Sequence, residues 1–138
     1  MLKQLSLVAA VAMVVVGCAT GAGGPSPEEQ VQQALAGWTA AAEAKDLDKL
    51  MTLVSEDFTS SEWADKETYR YFVQDAVEMG YLDNADVNTE NTKITVEDGK
   101  AVAYPVDMTA DFGSASLELT WTEQGGKWLI TDVSMETW

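Results

Sequence analysis

A chain of 138 residues with 46% hydrophobic content is long enough for one domain with its own core. Its formal net charge of −15, from 23 acidic and 8 basic residues, repels phosphate backbones and anionic headgroups and argues against nucleic-acid binding. There is no histidine, Arg70 is the sole arginine, and the single cysteine, Cys18, leaves no intrachain disulfide to form.

The chain opens with a short positive start at Lys3 and an apolar run from Leu5 to Val16, broken by Ser6. About 12 residues at about 1.5 Å each reach only about 18 Å, short of the roughly 30 Å hydrocarbon core, so the run reads as a signal-peptide core. The "VVGC" that follows, Val15-Val16-Gly17-Cys18, resembles the lipobox of bacterial lipoproteins. That resemblance implies cleavage before Cys18, a diacylglycerol on its thiol and an acyl chain such as palmitate on the new amino terminus. Membrane attachment would run through this anchor. Ala19, where an aspartate favours inner-membrane retention, implies an outer-membrane protein facing the periplasm. The alternative is an ordinary secretory signal with an incidental cysteine. Residues 1–17 are thus expected to be leader, 18–26 ("CATGAGGPS") a flexible tether, and 27–138 the domain.

Ser26, Pro27 and Glu29 form a strong helix start, and Val31, Leu35, Trp38 and Ala42 share one face of the predicted first helix. Gly37 lies inside that helix at some cost and is expected to permit close packing. Asp46 caps a second, short helix with Leu47, Leu50, Met51 and Val54 inward. Asp65 caps a third, with Tyr69, Phe72, Val73, Ala76 and Met79 on its apolar face and Gly80 as a left-handed end.

The period then changes to two. A weak strand is expected near Asp86–Asn88. Two alternating runs follow, joined by Asp98-Gly99, with Val102, Tyr104, Val106 and Met108 expected on one face of the second. On that alternation Asp107 points away from Tyr104. Pro105 lacks a donor and marks an edge position or a bulge. "ASLELTWTE" alternates Ala115, Leu117, Leu119 and Trp121, and "KWLITDVSME" forms a last strand after Gly125-Gly126. Helices followed by an antiparallel meander give an α+β class, with the helices on one face of the sheet.

This element order, with "AKDLDKLMTLVSEDF" and the closing "GGKWLITDVSM", resembles the nuclear-transport-factor-2-like superfamily, also called SnoaL-like or cystatin-like, over about Glu28 to Met135. The resemblance implies a cone: three N-terminal helices packed on a curved antiparallel sheet, with a cavity that serves enzymes, binding proteins and interaction modules alike. The aromatic and apolar residues expected to form the core or line that cone are Trp38, Trp63, Tyr69, Phe72, Tyr104, Val106, Trp121 and Trp128. Trp63 could cover its mouth. Such a pocket suits a flat apolar or amphiphilic ligand.

Enzymes of the superfamily pair pocket carboxylates with tyrosine, histidine or arginine. With no histidine, the available acid–base chemistry is Tyr69 or Tyr104 as donor and Asp107 or Asp111 as base. No residue matches a catalytic motif, and no cofactor is implied. Zinc lacks ligands here. "DNADVNTE" offers Asp83, Asp86, Asn88 and Glu90 to calcium without the loop glycine or spacing of an EF-hand, so a solvated acidic turn is expected rather than a metal site. Three readings stay open: a non-catalytic binder of a small molecule or envelope partner, a small isomerase- or dehydratase-like enzyme, and a module that pairs as a homodimer through its outer sheet face.

Overall fold

The structure, a computed structural model, describes residues 24–137. The expected leader, Cys18 and most of the tether lie outside the described residues, as does Trp138.

The helical layer is built as its caps dictate. Helix α1 spans Pro27–Glu43, with Pro27 in its first turn. Ser26 Oγ accepts the Glu29 amide at 3.2 Å and Glu29 Oε1 accepts the Ser26 amide at 2.9 Å. Its buried stripe is Val31, Leu35, Trp38, Ala41 and Ala42. The space beside Gly37 is open, with no heavy atom within 4 Å of where a Cβ would stand, so this glycine does not serve close packing. Helix α2, Leu47–Thr52, is capped by Asp46 and buries Leu50 and Met51. Helix α3, Lys66–Glu78, is capped by Asp65, whose Oδ1 accepts the Thr68 amide at 2.8 Å. That bond holds the Asp65 carboxyl below its ordinary pKa. At the other end Gly80 takes φ +82°, and the Gly80 and Tyr81 amides donate to the Val77 and Ala76 carbonyls at 3.2 and 2.9 Å. This left-handed stop folds Tyr81 back beside the helix end.

Five antiparallel strands follow: β1 Asp86–Asn88, β2 Lys93–Glu97, β3 Lys100–Ala110, β4 Gly113–Gln124 and β5 Lys127–Thr137. The sheet runs β1-β3-β4-β5, and β2 shares the β1 edge of β3. Residue β1 Asn88 stands opposite Asp107 and β2 Lys93 opposite Tyr104, so the two short strands divide that edge at Pro105, where no amide is available to bond. Thr92 bridges the gap by donating to the Pro105 carbonyl at 2.6 Å. Asp98-Gly99 turns β2 into β3 with φ of 52° and 75°, the conformation an Asp-Gly hairpin favours.

Pro105 also settles the register. Ala103 pairs with Leu119 but Val106 with Leu117, so Tyr104 and Pro105 together oppose Glu118 in a bulge. The bulge reverses the alternation. Ala101, Ala103, Val106 and Met108 face the core, while Val102 and Tyr104 point to the outer face. The expected set Val102, Tyr104, Val106 and Met108 is thereby corrected, and Asp107 shares the outer face with Tyr104 instead of opposing it. A second bulge leaves Thr131 of β5 unpaired between Ile130 and Asp132. On β4 the expected inner face holds: Ala115, Leu117, Leu119 and Trp121 are all buried.

The helices cover the inner face as an α+β layer. Val54, just after α2, makes a parallel bridge to Ile130, and the Ser55 amide donates to the Ile130 carbonyl at 2.8 Å. Trp128 Nε1 donates to Gln30 Oε1 at 2.9 Å, and the Val87 amide to Glu43 Oε2 at 2.9 Å, tying α1 to both sides of the sheet. Trp38, Trp121, Leu119 and Ile130 fill the core between them.

Candidate functional site

Tryptophans pack the part of the domain under α1. The part under α3 is filled differently. There the sheet offers Met108, Ala115, Leu117 and Met135, and α3 offers Val73 and Ala76. These smaller and more flexible side chains leave a cleft of about 240 Å³. Phe72, Met79 and Tyr81 form its lip, with Leu82 and Phe112 behind them. The three lip residues are 43%, 64% and 48% exposed, far more than Val73 and Ala76 on the cleft wall. The surface of the recess itself is apolar; Asp75, an exposed residue of α3, stands at its rim.

An aromatic chain backs the cleft. Trp63 lies 4.8 Å from Phe72 and 5.0 Å from Tyr69 between ring centroids, and Tyr69 stacks on Phe58 at 4.9 Å. Ser60 holds the Trp63 loop by accepting the Trp63 amide at 3.0 Å. Burial pushes the Tyr69 hydroxyl up to about 12.

Of the residues expected in the pocket, Phe72 lines the cleft. Trp63 and Tyr69 sit one layer behind it, buried. Trp38, Val106, Trp121 and Trp128 are buried in the core, and Tyr104 is 43% exposed on the outer face of the sheet. Met79, Tyr81, Phe112, Met108 and Met135 were not expected there. Their signal was faint but present: Phe72 and Met79 continue the apolar face of α3 beyond the stripe that the sheet covers. Trp38, Trp121 and Trp128 take the core side of the expectation, because large side chains close space rather than leave it.

The carboxylates considered for proton transfer lie elsewhere. Asp107 accepts a hydrogen bond from Ser116 at 2.7 Å on the outer face. Asp111 accepts one from Asn84 at 3.0 Å in the turn between β3 and β4. In "DNADVNTE", Asp83 pairs with Lys45 and Asn88 Oδ1 accepts the Glu90 amide. Among the described residues no group of three acidic or cysteine side chains could hold a metal ion, and no helix is long and apolar enough to cross a membrane.

A second, larger groove of about 440 Å³ runs between α1 and β2, but it is more open, and Gln32, Thr39, Glu43, Thr89 and Thr92 give it a mixed polar and apolar lining. The outer sheet face is also polar. Tyr104 stands there among Ser116, Glu118, Ser134 and Glu136.

No protein-family model matches the sequence, and no curated protein matches it significantly. Solved structures do match. A nuclear-transport-factor-2-like protein of unknown function from Pseudomonas putida is 13% identical with a TM-score of 0.68, over 82% of this chain and 89% of that one. An uncharacterized protein with a cystatin-like fold from Caulobacter vibrioides is 13% identical with a TM-score of 0.67, over 80% and 89%. A candidate dehydratase of the nuclear-transport-factor-2-like family from Streptomyces avermitilis is 12% identical with a TM-score of 0.67, over 82% and 99%. The domain therefore has the cystatin-like, nuclear-transport-factor-2-like fold, and at these identities the likeness is one of fold alone.

Proposed function

We propose that this chain is a lipid-anchored envelope protein, attached through Cys18, whose single domain binds a small apolar or amphiphilic molecule without transforming it. The cleft under α3 carries the reading. Folding has left Phe72, Met79 and Tyr81 exposed around a recess whose walls are apolar. Uncovered apolar surface gathered at a concave site is what a ligand of matching character covers. At about 30 Å³ per water-sized group, the recess has room for roughly eight such groups, so a single ring with a short chain fits.

Acid–base catalysis by tyrosine and aspartate has less support. Tyr104 and Asp107 share the solvent side of the sheet, away from the cleft, and Tyr69 lies behind it with no carboxylate as hydrogen-bond partner among the described residues. Pairing through the outer sheet face also has less support, because Glu118 and Glu136 would meet their own copies there.

A neutral probe tests the cleft. Trp63 touches Phe72, so filling the cleft with 3-phenylpropan-1-ol is expected to shift the intrinsic tryptophan emission saturably. Ala76→Leu, which extends a wall side chain into the space, is expected to weaken that binding at least about tenfold, or about 1.4 kcal/mol. If no saturable change occurs up to about 10 mM, where binding is worth only about 3 kcal/mol, the proposal fails.

A further inference from the structure

The rim of the cleft carries one carboxylate, the exposed Asp75, and no cation, and its setting is unusual for a helix. Asp75 and Glu78 occupy the last turn of α3, where the backbone carbonyls make the end of a helix negative and basic side chains are favoured. That turn contains no basic residue. Glu78 is partly satisfied, since Gln74 Nε2 donates to it at 3.1 Å. The Asp75 carboxylate accepts no hydrogen bond and joins no ion pair among the described residues. The two ion pairs there, Lys45–Asp83 and Lys66–Glu56, use other acids. The same cleft is lined by three aromatic residues, Phe72, Tyr81 and Phe112, a residue type whose ring face attracts a cation.

Resting on the apolar cleft proposed above, we infer that its ligand is a monocationic amphiphile: an apolar body within the cleft and an ammonium group at Asp75. An anionic amphiphile, such as a fatty acid, would bring its carboxylate to Asp75, to Glu78 and to the negative end of α3. A cation at the same point is attracted by all three. The preference comes from a fixed local field and not only from the surplus of acid over the whole surface.

Three probes of one shape separate these effects on the full chain: 3-phenylpropylammonium, 3-phenylpropan-1-ol and 3-phenylpropanoate, followed by tryptophan emission. At low ionic strength the ammonium is expected to bind about tenfold more tightly than the alcohol, and the carboxylate more weakly than both. Asp75→Asn is expected to remove most of the ammonium's advantage over the alcohol. Glu97→Gln alters the net charge equally but lies at the hairpin end of β2, opposite Lys100 of β3 and far from the cleft; it is expected to change neither affinity. Equal affinity for the three probes, or an ammonium advantage that survives Asp75→Asn, overturns the inference while leaving an apolar cleft. If none of the three binds, the cleft itself is not a site and both readings fall.

Discussion

Tyr69 shows how one side chain can serve packing and leave a pH signature. Its ring lies between Phe58 and Trp63, and burial raises its hydroxyl from 10.0 to about 12. The folded chain therefore holds this proton at a pH where the unfolded chain has released it. Stability from this group is complete below pH 10, declines as pH rises, and is gone above about 12; a two-unit shift corresponds to at most about 2.7 kcal/mol. Tyr69→Phe keeps the ring and removes the ionisation. Its hydroxyl has no hydrogen bond to lose among the described residues, so the variant is expected to match the parent near neutral pH. Above pH 10 it should become the more stable of the two. Urea unfolding of both proteins at pH 7 and 11 measures this, and an unchanged difference between them would show that the hydroxyl ionises as freely in the folded state as in the unfolded.

At the scale of elements, helix α1 carries a correctable weakness. Gly37 lies mid-helix, its space is open, and nothing in its surroundings needs the missing side chain. Gly37→Ala is expected to stabilise the domain by about 0.5–1 kcal/mol, since glycine in a helix interior costs that much against alanine. A fall in the urea midpoint would reveal a contact that needs the glycine. Caps and periodicity made the three helices legible in the sequence, down to the Ser26–Glu29 pair and the left-handed Gly80. Asp98-Gly99 and Gly125-Gly126 did the same for two hairpins, and alternation gave the inner face of β4. The register of β3 was only half legible. Pro105 announced an edge or a bulge, but which residues oppose Glu118 depends on pairing with β4, a long-range contact. One extra residue moved Tyr104 from the expected cone to the solvent side. The cleft was less legible still, because a void is defined by what several distant elements fail to fill. Ala115 and Leu117 were readable as inward, but not that the sheet would face Ala76 there instead of another tryptophan.

For the whole molecule, two features could bring it to a membrane, and they make opposite demands. The exposed lip of Phe72, Met79 and Tyr81 could enter a bilayer surface, but the net charge of −15 repels anionic headgroups and the lip is flanked by Asp75 and Glu78. An acylated Cys18 needs nothing from the domain. Each buried methylene contributes about 0.8 kcal/mol, so two or more chains would outweigh the repulsion many times over, and a tether as proposed would hold the acidic surface off the headgroups. Cys18→Ser is therefore expected to move the whole protein from the membrane fraction to the aqueous phase of a detergent partition. Phe72→Ser with Met79→Ser, which makes the lip polar, should leave it in the membrane fraction. Mass spectrometry of the parent should show a mass above that of a chain beginning at Cys18, by the weight of its lipid. If Cys18→Ser still partitions with detergent and the lip variant does not, the domain itself is the membrane contact, and the cleft would have to be read as an insertion surface instead of a binding site.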